Sequence, residues 1–224
     1  MKTLVLLRHG RSTANTAGIL AGRSDGVDLD EVGREQASAL ADRLAEVGIT
    51  GIVSSPLTRC QQTVAPLAAR LGLPVTLDPE LAEVDYGSWT GRSLADLAKE
   101  DLWRIVQATP SAVVFPEGEG LAEMSARAVA AVRRQLEAAD GPLLVCSHGD
   151  VIKAILADAL GLHLDGFQRI VVGTASVSVI RYAPGRPFVE KVNDTGEIGV
   201  LAAPSTAPDP GAESSDATVG GSVR

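Results

Sequence analysis

The stretch Thr3–Asn15, TLVLLRHGRSTAN, decides the fold, because its apolar run of Leu4, Val5, Leu6 and Leu7 ends abruptly at Arg8-His9-Gly10. A run this short suits a strand buried on both faces, as in a parallel sheet covered by helices. Its end then delivers a guanidinium and an imidazole to the loop beyond the strand. Both are ordinary loop polarity or the start of a chemical site.

The same pattern recurs far downstream as LLVCSHGD, residues 143–150. An apolar strand again runs through one polar residue to His148 and a glycine. Ligands of open α/β sheets bind beyond the carboxyl ends of the strands, so His9 and His148 meet in one crevice if their strands lie side by side. The glycines let backbone approach a ligand, and helices starting nearby favour anions. A lone histidine at a strand end is more often structural; two matched copies reverse that. His163, the third histidine of the chain, has no such context and reads as surface or local packing.

Strand patterns fall at about 3–8, 51–54, 74–77, 142–147, 175–182 and 187–193. Helical patterns lie between most of them. Ala37, Leu40, Ala41, Leu44 and Val47 recur at helical spacing, as do Ile152, Ile155, Leu156, Ala159 and Leu160. This alternation predicts a three-layer α/β/α sandwich around a mostly parallel sheet. The last two strands flank Ala183-Pro184-Gly185-Arg186 and read as a hairpin, which makes the sheet mixed. Residues 83–120 hold Trp89 and Trp103 and read as short helices and a loop over the mouth of the sheet. A domain over 1–200 is expected, followed by a Pro-, Ala-, Ser- and Gly-rich tail over 201–224, read as disordered because it lacks apolar surface to offset its ordering entropy.

The 224 residues carry a net charge of −8, which argues against a nucleic-acid partner. No apolar run reaches the roughly 18 residues of a membrane span, and the apolar stretch of the start is too short for a signal peptide. Two cysteines, Cys60 and Cys146, make no disulfide framework and suit a cytoplasmic location. Neither opens a Cys-x5-Arg phosphatase loop, since Pro66 and Ile152 stand where the arginine is needed. The shortage of Cys and His excludes a four-ligand zinc site. Asp25, Asp28 and Asp30 fail the EF-hand spacing, and Asp30 reads as a helix N-cap. No metal and no cofactor are expected. The sequence allows a homodimer without arguing for one.

A third element is IVSSPLTRCQQTV, residues 52–64, where a strand runs into a helix whose first turn holds Arg59. A cation there opposes the helix dipole. Arg59 is therefore either solvated or faces a bound anion, and Arg8 is either a salt-bridged loop residue or half of an oxyanion clamp.

Four ordered blocks, LLRHGRSTAN, VSSPLTRCQQT, LAEVDYGSWTG and VCSHGDVI, resemble the histidine phosphatase superfamily, also called phosphoglycerate-mutase-like, over about residues 3–193. The resemblance implies a phosphoglycerate-mutase-like fold and a small phosphorylated substrate. It makes His9 the nucleophile that becomes phosphohistidine. It puts Arg8, Arg59 and His148 on the phosphate oxygens, with Ser12, Asn15 and Gly149 as further contacts. Glu83 matches the proton donor; Asp85, two residues on, is the reserve acid. Tyr86 matches a substrate-binding position of the phosphoglycerate mutases.

Where those mutases carry a lysine this chain has Leu94, although Arg92 or Lys99 are candidate replacements. The segment from Glu83 to His148 is also shorter than theirs. Less shielding admits water, so the expected activity is a metal-independent phosphomonoester hydrolase acting on small metabolites. A phosphoglycerate mutase or phosphomutase using the same phosphohistidine is the alternative, and a weakly active phospho-ligand-binding module the third reading.

Overall fold

The computed structural model describes residues 2–196. The tail expected from 201 onward lies outside the described residues. The strands are β1 (Lys2–Arg8), β2 (Gly51–Ser54), β3 (Val75–Leu77), β4 (Leu143–Ser147), β5 (Val177–Ala183) and β6 (Arg186–Asp194). The α-helices are α1 (Thr13–Thr16), α2 (Glu31–Leu44), α3 (Thr58–Leu71), α4 (Leu94–Leu97), α5 (Asp101–Ala108), α6 (Leu121–Ala138) and α7 (Gly149–Leu160). The strands form one mixed sheet in the order β3-β2-β4-β1-β5-β6. β1, β2, β3 and β4 run parallel, while β5 is antiparallel to β1 and forms the expected hairpin with β6.

The alternation of side chains across the sheet builds two cores. Leu4, Leu6, Val53, Leu143 and Val145 point to one face and pack with Met124, Val132, Ile155 and Leu156 of α6 and α7. Val5, Leu7, Ile52, Leu144 and Cys146 point to the other, against Leu40, Leu44, Val64 and Leu67 of α2 and α3. Coverage on both faces explains why β1 and β4 read as continuous apolar runs.

One helical period was read past the end of its helix, and the other ends on an exposed residue. α2 ends at Leu44, leaving Val47 about half exposed, and α7 stops at Gly161 in the left-handed conformation (φ 63°), leaving Leu160 exposed on its last turn. Residues 83–120 do form short helices. Trp89 is buried, stacks on Trp103 and meets Phe115 edge-on, so both tryptophans serve the cover's packing. Among the described residues, no helix is long and apolar enough to cross a membrane.

Candidate active site

Sheet order brings the two histidine motifs together. β1 and β4 are parallel neighbours with Arg8 opposite Ser147, and the His9 amide donates to the Ser147 carbonyl at 3.0 Å. The imidazole centroids of His9 and His148 lie 5.2 Å apart. β2 borders β4 on its other side, and the Ser55 amide donates to the Cys146 carbonyl, so the chain enters α3 at the same edge. Arg59 is the second residue of α3, as expected, and α7 begins directly after His148. Two helix N-termini therefore open at the strand ends that carry the histidines and Arg59.

Arg8, His9, Arg59, Glu83 and His148 are each 5% exposed or less. Gathering five ionisable side chains out of water is costly unless a ligand or reaction uses them. The His9 ring is held by its Nδ1–H, which donates to the Gly10 carbonyl at 2.8 Å. Its Nε2 lone pair is thereby left for chemistry. Burial, then the charges of Arg59 and Arg8, push His9 well below the usual histidine range, so it is neutral at neutral pH. Gly10 must be a glycine, because a Cβ there would lie 2.8 Å from the Gly33 carbonyl oxygen at the start of α2.

Arg59 Nη2 donates to the Gly22 carbonyl at 2.8 Å and to His148 Nδ1 at 3.1 Å. Its Nη1 is buried with no hydrogen-bond partner among the described residues. A buried guanidinium nitrogen in that condition suits an anion. Arg8 Nη1 donates to the Val172 carbonyl at 2.7 Å, across the sheet's other side.

His148 stands in the cluster beside His9 and Arg59. Because Arg59 donates to its Nδ1, the ring proton sits on Nε2 and donates to Ser55 Oγ at 2.8 Å. Both ring nitrogens are hydrogen-bonded, and the Nδ1 contact ties His148 to Arg59. Burial and the charge of Arg59 keep it neutral, well below the usual range.

Glu83 is the carboxyl that belongs to the cluster. Burial first and the Asp150 charge second raise it to about 7, against the pull of the Val84 amide, Arg59 and Arg8. The reserve acid Asp85 is spent elsewhere, its Oδ1 accepting from the Gly87 amide at 3.0 Å. Ser12 and Asn15 cap α1 reciprocally, so the Ser12 hydroxyl is used locally, while the Asn15 oxygen accepts and its amide nitrogen is the end suited to an anion. Gly149 opens α7 behind His148.

Tyr86 lies beside the cluster, close enough to Glu83 and Arg59 to interact with them electrostatically. It is fully buried, packs edge-on against Phe115, and donates its hydroxyl to Asp150 Oδ2 at 2.9 Å. Its hydroxyl thereby ties the cover to Asp150 on the first turn of α7. His163 is exposed and pairs with Asp165, consistent with a local role. Asp30 caps α2 through the Gly33 amide and pairs with Arg11. Among the described residues, no group of three or more His, Cys, Asp or Glu side chains is arranged to hold a metal ion.

Ser55 and Asp150 were missed by sequence reasoning. Ser55 had a signal, since it follows β2 at the edge where the histidine strands end. Asp150 stood inside the quoted SHGD block, but its partner Tyr86 lies 64 residues away.

Comparison with known proteins agrees with this geometry. The family model of the histidine phosphatase superfamily, branch 1, matches residues 4–195. "Probable phosphoglycerate mutase GpmB" of Yersinia pestis (strain Pestoides F) is 37% identical over 213 residues, covering 90% of this chain and 97% of that protein. Among solved structures, a mycobacterial glucosyl-3-phosphoglycerate phosphatase complexed with VO3 superposes with a TM-score of 0.79 at 29% identity, covering 86% of this chain and 99% of that one. A putative α-ribazole-5'-P phosphatase of Escherichia coli K-12 gives 0.78 at 28% identity, covering 89% and 98%.

Proposed function

Because the chain belongs to the histidine phosphatase superfamily, we propose that it is a metal-independent hydrolase of small phosphate monoesters, acting in the cytoplasm through phosphorylated His9. The observation that carries this reading is the pinned His9 ring, its Nδ1–H spent on Gly10, set among buried arginines with a carboxyl raised to about 7.

Arg8 and Arg59 neutralise the phosphate dianion and stabilise its equatorial oxygens, with Arg59 Nη1 as a ready donor. In the first half-reaction His9 Nε2 attacks phosphorus, the bond to the leaving oxygen breaks, and Glu83 gives that oxygen its proton. In the second, water attacks the phosphohistidine, its proton passes to the Glu83 carboxylate, and the N–P bond breaks. Inorganic phosphate leaves, and neutral His9 and protonated Glu83 are restored.

Hydrolysis is preferred to mutase action on the fate of the cations near Leu94. Leu94 itself is buried in the core. Arg92 is paired with Glu100 at 2.6 Å and Lys99 with Asp96 at 2.7 Å, so neither candidate replacement for the mutase lysine is poised for a second phosphate. The mutase name of the Yersinia relative keeps the alternative in view, and the products separate the two. Release of phosphate from p-nitrophenyl phosphate between pH 5 and 8, lost in His9→Ala together with any acid-labile phosphoenzyme, is the expected result. Bisphosphate-dependent conversion of 3-phosphoglycerate to 2-phosphoglycerate without free phosphate would overturn it.

A further inference from the structure

The phosphate grip is built on strand ends, but Glu83 lies in an irregular segment that follows a short 3-10 turn at Pro79–Leu81. Its placement therefore needs another cause. Arg127, on the second turn of α6, uses all five guanidinium hydrogens at this segment. Nε donates to Glu119 Oε2 at 3.0 Å, and Nη2 donates to Glu119 Oε1 at 2.6 Å and to the Glu83 carbonyl at 3.1 Å. Nη1 donates to the carbonyls of Glu80 at 2.6 Å and Ala82 at 2.9 Å. Five donors on five acceptors saturate the group, and the bidentate contact with Glu119 fixes its plane.

Glu119 extends the clamp. Its Oε1 also accepts from the Asp85 amide at 2.8 Å and from Arg23 Nη2 at 2.9 Å. Arg23 Nε in turn donates to the Glu83 carbonyl at 2.9 Å. The remaining carbonyl of the segment, that of Leu81, accepts from Ser147 Oγ at 2.8 Å. Four successive carbonyls, from 80 to 83, are thus tied by side chains. Arg23 directly follows Gly22, whose carbonyl holds Arg59, and Ser147 directly precedes His148. The clamp therefore references the acid's backbone to the same groups that form the phosphate grip.

We propose that Arg127, with Glu119 and Arg23, is a positioning device that aims the Glu83 carboxyl at the leaving-group oxygen, so that it governs proton donation and leaves the phosphate grip unaltered. This rests on the phosphohydrolase reading above. A general acid contributes about 10²- to 10⁴-fold, and a misplacement of about 1 Å can cost about 10²-fold. The effect must therefore grow with the leaving group's need for a proton.

The test compares p-nitrophenyl phosphate, whose phenolate leaves unaided, with glycerol 2-phosphate, whose alkoxide does not. In Arg127→Lys, kcat/KM for glycerol 2-phosphate should fall about tenfold to hundredfold and that for p-nitrophenyl phosphate less than about threefold. In a Glu83→Gln background the same change should cost less than about twofold, because the acid it serves is gone. Equal losses on both esters, no loss, or an undiminished loss in the Glu83→Gln background would overturn the proposal. Should circular dichroism show Arg127→Lys unfolded, Arg23→Lys makes the same comparison. Arg23 is 41% exposed, and its replacement removes one donor to the Glu83 carbonyl while keeping the Arg127 contacts. A wild-type protein inactive on both esters would sink the hydrolase reading and this proposal together, which the variant pattern in an active protein does not.

Discussion

Glu83→Gln should gain stability relative to wild type as pH rises through about 7, while making the protein a poorer catalyst. The side chain is buried, and its carboxyl is raised from 4.5 to about 7, by burial first and by the Asp150 charge second. In the unfolded chain the carboxyl loses its proton near 4.5; in the folded protein it holds the proton until about 7. Its contribution to stability is therefore complete below about pH 4.5 and is lost as pH rises through 7. The difference between the two states is worth about 3 kcal/mol, at ~1.36 kcal/mol for each tenfold change in proton affinity. Glutamine has the same shape and never ionises, so the variant does not suffer this loss. Urea denaturation of both proteins at pH 4.5 and pH 8.5 measures it. The variant should gain about 3 kcal/mol on wild type between the two conditions. His9 and His148, whose folded forms resist protonation, act in both proteins and cancel in the difference. A difference that stays constant with pH within about 1 kcal/mol, or that turns in favour of wild type as pH rises, would refute the reasoning.

Three further outcomes follow from the same geometry. The rate with an alkyl phosphate should fall above about pH 7 as Glu83 loses its proton, and this limb should vanish in Glu83→Gln; a wild-type profile flat to pH 9 would count against Glu83 as the acid. Ser55→Ala removes the acceptor of the His148 Nε2–H inside the core, which should cost about 1–3 kcal/mol in a urea melt and raise KM as the hold on Arg59 loosens. Gly87 has φ 52° and an ideal Cβ there would stand 2.1 Å from the Pro116 carbonyl oxygen, so Gly87→Ala should lower stability by about 3 kcal/mol, read from the thermal midpoint, and shift the neighbouring Glu83 segment enough to reduce kcat.

What the sequence disclosed and what it hid follow from the reach of the interactions. Arg8, His9, Arg59 and His148 were legible because each stands within a few residues of a strand end, where a short apolar run announces both the element and its edge. Local periodicity also found α2 and α7. It overran α2, where Val47 continues the apolar rhythm after the helix has ended at Leu44, and it could not show that Leu160, the last residue of α7, is exposed. The partner of the Tyr86 hydroxyl stayed hidden because nothing near it in the chain reveals Asp150, its acceptor. Arg127 is 44 residues from Glu83 and carries no local mark distinguishing it from the other arginines of α6.

The division is also a division of labour. Binding phosphate needs charge at fixed points, and a parallel sheet supplies fixed points at its carboxyl edge for little more than correct strand order. Donating a proton to a leaving oxygen needs a buried carboxyl that stays protonated near neutral pH, and burial alone achieves that for Glu83 only if its segment cannot swing outward to water. The segment has no ladder hydrogen bonds to hold it. Its carbonyls are instead restrained by Arg127, Arg23 and Ser147. The raised carboxyl and the saturated arginine are then one feature seen twice: the clamp resists the outward motion that burying an acid would otherwise provoke. On this account a loosened clamp should lower the pH at which Glu83 ionises as well as slow proton transfer, so the alkaline limb of the rate profile in Arg127→Lys should move toward acid pH.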